Sequence, residues 1–443
     1  MSKTFRDWSL DQALLLPPSV HDFVPAGHLA RFVVALVTED LHLSAILASY
    51  KGEKGQPPYH PAMMVALLLY GYAVGIYSSR RIAKACVERV DFMAIVTLDA
   101  PDFRTISEFR RRHLAALSAL FVQVLKLCER TGLVKLGHVA LDGSKIKANA
   151  SKHKAMSYQH MRKREVELQA EVDRWLEAAE AADAAEDKAF GAHRRGDEMP
   201  DWVANKQARL AKIRKAKAEL EAEAKAKAAA EQAAREDDDD KPRPGRKAAP
   251  PLDVPEPKAQ RNFTDPESRI LKTKDGYIQG YNAQAAVDAH AQIIVAHTLS
   301  NNGNDQIQFS PLLDAIKANL GRNPEEASAD AGYCSAANLR TLSRRRITGY
   351  IATGRQRHGT KSATTKRPVK PSSLLARMTR RLKCAGYRSR YRLRKQVVEP
   401  VFGQIKQARG FRQFLLRGIE KVKAEWAMIC TAHNLQKLAQ ALA

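Results

Sequence analysis

HVALDGSKIKANA, residues 138–150, is the stretch on which the fold turns. Upstream of it apolar residues recur every three to four positions, and from Lys135 the period shortens to that of strands. An apolar run stops at Asp142, which is where a strand of an α/β sheet delivers a carboxylate to a shared edge. The pattern predicts paired strands, HVALD and KIKANA, around Asp142-Gly143, because Asp-Gly favours tight hairpin turns. Read alone, such a pair is more often a turn than a metal ligand. The turn can form while the carboxylate still points into a site.

Downstream, after a long interruption, YIQGYNAQAAVDA (277–289) and QIIVAHTLS (292–300) resume the strand pattern. QIQFSPLLDAIKANLG (306–321) reads as a helix, EASADA (326–331) as a short strand, SAANLRTLSRR (335–345) as a helix, and ITGYIAT (347–353) as a strand. EPVFGQIKQARG (399–410) opens a final helix. Strand-strand-strand-helix-strand-helix-strand-helix is the ribonuclease H-like α/β layout, in which the first strand, the fourth strand and the last helix supply acids. Those elements carry Asp142, Asp330 and Glu399. Asp330 taken singly could equally cap the helix near Ser335; the shared topology is what joins it to the other two.

Two Asp and one Glu brought together can hold divalent metals, Mg²⁺ or Mn²⁺, and two such ions can activate an attacking oxygen and stabilise the leaving oxygen of a phosphodiester. Glu399 precedes Pro400, so the helix either begins there or is kinked there. Seven residues on, Lys406 falls on nearly the same face, placed to reach a phosphate beside the acids. Between Asp330 and Glu399 there is no Asp or Glu, while Arg and Lys recur throughout, including Arg380, Arg381, Arg388, Arg390, Arg392, Arg394 and Lys395. A run of one sign is usually a solvated tail; lying between two metal ligands, it is expected to bind phosphates. Tyr333, Tyr387 and Tyr391 could stack on an unpaired base or fill a core.

Residues 1–135 read as an N-terminal helical domain: HLARFVVALVTEDL, HPAMMVALLLYGYAVGI, SSRRIAKACVERVDFMAIV and TISEFRRRHLAALSALFVQVLKLCERTG, with Ser or Thr at several starts and Gly132 closing the last. Arg80, Arg81, Arg110, Arg111 and Arg112 suit DNA-backbone contact, although basic residues on helices are often merely solvated. The catalytic part begins at 136–151 and resumes at 263–443. Between them, 152–235 reads as an inserted antiparallel helical hairpin with a heptad-like seam through Leu168, Val172, Trp175, Leu210, Ile213, Ala216 and Leu220. Residues 236–262, with four consecutive Asp and abundant Pro, read as a flexible linker.

The whole chain, 443 residues with 44% hydrophobic content, is large enough for two or three domains and a true core. Its formal charge of +25 points to a polyanion partner. No apolar run approaches a bilayer span and the amino terminus lacks signal-peptide features, so the expected location is the cytoplasm, at the nucleoid. Cys86, Cys128, Cys334, Cys384 and Cys430 lie far apart without a C-x-x-C pair, which argues against disulfides or a zinc site.

These motifs, TISEFRRRH, VALDGSKIKA, GYNAQAAVD, ADAGYC, VEPVFGQIKQARGFRQFLLRG and TAHNLQKL, resemble those of DDE-type transposases of bacterial insertion sequences, in the group with a Y-R-E-K signature. The resemblance spans essentially the whole chain. The Glu399 to Lys406 spacing matches the signature, as does that of Tyr391 to Arg394; Lys395 stands four before Glu399, where the pattern has Arg, and Tyr391 and Arg394 sit one residue further from Glu399 than the pattern has them. The resemblance implies binding of terminal inverted repeats in double-stranded DNA, hydrolytic nicking, transfer of the freed 3′ ends to target DNA, and a homodimer that pairs two ends. The rival expectations are a nuclease that only hydrolyses and a domesticated DNA-binding protein without catalysis.

Overall fold

The computed structural model describes residues 19–50, 57–190, 201–236, 252–273, 275–354, 364, 370–384 and 390–442. Its first part is helical: α1 (Leu29–Ala35), α2 (Ser44–Leu47), α3 (Pro61–Ala73), α4 (Ser79–Glu88), α5 (Val90–Val96), α6 (Phe103–Arg112) and α7 (Leu114–Arg130). The caps differ from the Ser and Thr expected. His28 and His60 accept from Ala30 N and Ala62 N, Asp102 accepts from Arg104 N and Thr105 N, and Ser78 makes no side-chain cap. Pro61 opens α3, where its missing N–H costs nothing.

The stretch 138–150 does not form a hairpin. Strand β1 (His138–Lys147) is unbroken. After it come β2 (Ala155–Ser157), α8 (Tyr158–Phe190), α9 (Asp201–Glu236), β3 (Gln260–Asn262), β4 (Arg269–Thr273), β5 (Gly276–Asp288) and β6 (Ile294–Ser300). β1 pairs antiparallel with β5 from Val139↔Asp288 to Lys147↔Gly280, straight through Asp142↔Ala285 and Gly143↔Gln284. Gly143 is not at positive φ, as a type I′ turn would require. Its glycine serves a close approach instead: a Cβ there would lie 2.8 Å from Gln284 Cδ.

The chain continues through α10 (Phe309–Leu320), β7 (Glu326–Ala329), α11 (Ala336–Arg344), β8 (Thr348–Ile351), α12 (Leu374–Cys384), α13 (Leu393–Gly403) and α14 (Ile419–Leu442). β5 carries β4 and β6 on the edge opposite β1, and both pairings are antiparallel. On the other side β7 runs parallel to β1, and β8 parallel to β7. β5 is buried from Gln279 to Asp288, as a strand covered on both faces must be.

Pro400 lies inside α13, which starts seven residues before it and passes into a π-helical turn, Gln404–Ala408. Of the two readings of Glu399-Pro400, the longer helix is the one observed. A proline deprives the carbonyl four residues back of its partner. That carbonyl, Gln396 O, accepts instead from Gln292 Nε2 at 3.0 Å.

One continuous core joins the N-terminal helices to the sheet. Its keystone is α14, buried on nearly all sides through Trp426, Met428, Ile429 and Leu435, and packed on α3, α7 and β6. The polar groups it buries are bonded, Glu425 accepting from Leu415 N and Leu416 N and Asn434 pairing with the Ile294 backbone, as an interior helix requires. The helical part expected to end at 135 therefore has no core of its own apart from the sheet. Cys86, Cys128 and Cys430 are free and buried within this core, and burial pushes their thiols up.

α8 and α9 pack together around a separate small cluster of Tyr158, Met161, Leu168, Leu210, Ile213, Ala216 and Leu220. Val172 is buried as well, and Trp175 is half-buried. Glu165 pairs with Arg214 and Lys217 across the two helices. The segment expected to be a linker ends earlier than 262: Gln260–Asn262 pair with Ala155–Ser157, and Arg261 is buried against Glu219 and Glu223. Residues 237–251, with the run of four Asp, lie outside the described residues. No helix among the described residues is long and apolar enough to cross a membrane.

Candidate active site

Register alone brings two of the acids together. Leu141 lies opposite Ala329 in the parallel β1/β7 pair, so the next step of each strand is Asp142 and Asp330. β7 ends there, and Asp330 caps the short 3-10 turn Ala331–Tyr333, accepting from Gly332 N at 2.8 Å. The alternative in which Asp330 caps the helix near Ser335 is not what forms, since Ser335 itself caps α11.

Glu399 comes from α13, which packs on β1. One guanidinium spans the gap between them. Arg394 donates from Nη1 to Asp142 Oδ2 at 2.7 Å and from Nη2 to Glu399 Oε1 at 3.1 Å. The Arg394 side chain is 11% exposed, Asp142 is 20% and Glu399 48%, so the link runs from a half-buried acid to a surface one. Arg394 Nε is buried with no partner. Tyr391 is hydrogen-bonded to the same guanidinium.

Burial pushes the Asp142 carboxyl up to about 6; Arg394 opposes that, while Asp330 and Glu399 add to it. Burial likewise raises Asp330, again against Arg394. Lys406 Nζ donates to Lys145 O at 3.3 Å on β1, and its pKa is lowered by burial and held up by Asp142. Lys406 therefore faces the strand that carries Asp142, although a π-helical turn rather than a regular α-helix carries it there.

The other basic residues divide. Lys395 and Arg392 are exposed on or beside α13. Arg390 is paired with Glu326 at 3.2 Å, at the start of β7 rather than at its acid-bearing end. Arg380 and Arg381 sit on α12, beside α11 and β8, with Arg381 donating to Gly349 O. Arg388 and Tyr387 lie outside the described residues. Two expectations fail. Tyr333 is fully buried and donates its hydroxyl to Gln284 Oε1, so it cannot stack on a base. Arg110 is buried and donates to Tyr72, Tyr77 and Ser79, so it is not a backbone contact for DNA.

Sequence reading passed over Asp305 and Gln284. Asp305 opens the 3-10 turn before α10 and accepts from Asn282 Nδ2 at 2.7 Å and Gln284 Nε2 at 2.9 Å. Asp305 stands past the end of β6, behind the polar stretch Asn301-Asn302-Gly303-Asn304, so it lacked the signal used for Asp330, an acid where an apolar run stops. Three oxygen-donor acids suit a hard divalent cation, and burial first, with neighbouring carboxylates adding, raises the Asp142 and Asp330 carboxyls. Among the described residues, no three acidic, His or Cys side chains are yet close enough to hold an ion.

Residues 18–112 match the family model described as "Transposase domain (DUF772)", and residues 251–435 match "Transposase DDE domain". No curated protein and no solved structure matches the chain. The two domains make the chain a member of the DDE-type transposases of insertion sequences, enzymes of mobile elements that act on DNA and generally require divalent metal ions.

Proposed function

We propose that this DDE-type transposase binds the terminal inverted repeats of its element, cuts them with Asp142, Asp330 and Glu399 as the metal-holding acids, and transfers the freed 3′ ends to target DNA. The observation that carries the reading is the adjacency of Asp142 and Asp330 across β1 and β7, with Glu399 tied to Asp142 by Arg394. The sheet order β6-β5-β1-β7-β8, antiparallel before β1 and parallel after it, supports a ribonuclease H-like catalytic unit into which α8 and α9 are inserted.

Asp142, Asp330 and Glu399 would hold two Mg²⁺ or Mn²⁺, which when bound supply activation of the attacking oxygen and neutralisation of the leaving one. The chain's own groups do the rest. Arg394 fixes the spacing between β1 and α13 by holding one acid from each. Lys406 offers a positive charge beside Asp142 for the scissile phosphate. Lys395, Arg392, Arg380, Arg381 and Arg390 extend the basic track for the duplex backbone. Pairing two ends calls for a homodimer.

Strand transfer separates this reading from hydrolysis alone. Pre-cleaved terminal-repeat DNA incubated with Mg²⁺ and supercoiled plasmid is expected to give joined product. Nicking without joining would favour the hydrolytic nuclease instead.

A further inference from the structure

We propose that Asp305 is a fourth carboxylate of the metal centre, holding a divalent cation together with Asp330, directly or through a metal-bound water. The inference deepens the function proposed above and rests on it.

Asp305 reaches the site from an element that supplies none of the other acids, the 3-10 turn Asp305–Gln308 between β6 and α10. Gly332 reports how near it comes to Asp330. A Cβ on Gly332 would meet Asp330 Oδ1 at 3.0 Å and Asp305 Oδ2 at 3.2 Å, so both carboxylates face the space beside that glycine. The charge of Asp305 adds to the burial that raises the Asp330 carboxyl, and with Asp142 and Asp330 it raises the buried Tyr333 hydroxyl.

The position of Asp305 is fixed rather than incidental. Its Oδ1 accepts from Asn282 and Gln284, both buried on β5, the central partner of β1. Gln284 is itself held: its Oε1 accepts from Tyr333, its backbone carbonyl from Trp426 Nε1, and its side chain lies over Gly143, next to Asp142. One buried amide thus links the residue after Asp142, the tyrosine after Asp330, and Asp305. An asparagine at 305 could accept both amide hydrogens. A full negative charge brought beside a second carboxylate has a use when a cation sits between them, since like charges at short range raise one another's pKa and a cation relieves the repulsion.

The test is Mn²⁺ binding to the DNA-free, full-length protein, by calorimetry and by the metal-induced rise in melting temperature. Asp305→Asn keeps the acceptor for Asn282 and Gln284 and removes the charge. The expected result is at least about tenfold weaker Mn²⁺ binding and a reduced metal-induced rise, with a metal-free melting temperature equal to or above that of wild type. A purely structural role would instead lower the metal-free melting temperature and leave affinity in the surviving folded protein unchanged, and that result would overturn the proposal. Asp330→Asn separates the two readings. Loss of binding there with Asp305→Asn normal would sink the fourth ligand alone, whereas normal binding in both would sink the metal site as well.

Discussion

Gly143 shows most compactly how a residue can be noticed for one reason and required for another. Asp-Gly is a turn signal in sequence, yet here it lies in mid-strand, opposite Gln284. Sequence can display the glycine but not the side chain that crosses above it from β5, more than a hundred residues away. Asp142, Asp330 and Glu399 were legible because each stands where an apolar run stops or where the topology calls for an acid, although the structure places Asp142 within β1 and Glu399 within α13. Asp305 was not, since its importance comes from meeting Asp330 across a loop, and Arg394 was legible as a cation but not as the bridge between β1 and α13. Gly143→Ala is expected to destabilise the protein by roughly 1–3 kcal/mol, the usual cost of overpacking a filled interior, because Gln284 is bonded on several sides and cannot swing away. Urea denaturation measures it; unchanged stability would mean that Gln284 has room to move.

At the scale of elements, β5, β6, α10, β7, α11 and β8 were readable from period alone, and the hairpin from its apolar spacing; α12 was not read, and α14 follows the helix that 399–410 was expected to open as the last. What period could not reveal was where the insertion begins and ends. Its base is stitched to the catalytic unit by the β2/β3 pair, by Tyr158 N to Ala259 O, by Asn262 Nδ2 to Ser151 O, and by Arg261 and Arg269 sharing Glu223. Removing all of 152–261 would cut through those bonds and leave Arg261's neighbours and Phe263 exposed. Replacing 176–205 by a short Gly/Ser connection keeps the seam from Leu168 to Leu220 and is expected to give a soluble protein that still cuts DNA but does not pair two ends. A gel-shift assay for the paired complex decides. Normal pairing would remove the arm from end architecture, and insolubility would show that its distal part is needed to fold.

The whole molecule is where sequence reading departed furthest from the structure. The first 135 residues read as a domain because their helices are amphipathic or apolar and end at a glycine, but α14, three hundred residues later, completes their core. Local periodicity carries no record of which distant helix fills a groove. His433 on α14 is one clasp: its Nδ1 meets Arg409 Nη2 at 2.9 Å and its Nε2 meets Gln292 O at 2.9 Å. Burial, with Arg409 adding, lowers its pKa to about 3. The folded protein then takes up no proton there at pH values where the unfolded chain, with an ordinary His, does. This contribution is present in full above pH 6.5 and is lost as pH falls from there toward about 3. Relative to His433→Gln, wild-type stability should therefore decline on acidification by up to about 1.4 kcal/mol per pH unit. Parallel pH profiles would contradict the neutral, buried histidine.

The central claim is that Asp142, Asp330 and Glu399 do the cutting while other residues hold the DNA. The direct measurement is cleavage of end-labelled terminal-repeat DNA with Mg²⁺ by Asp142→Asn, Asp330→Asn and Glu399→Gln, with binding of the same DNA measured in parallel. Each variant is predicted to bind the DNA within a few-fold of wild type and to lose cleavage by a factor of at least about 10³, as removal of a group required in the transition state does. Wild-type cleavage by any one of the three would take that residue out of the active site.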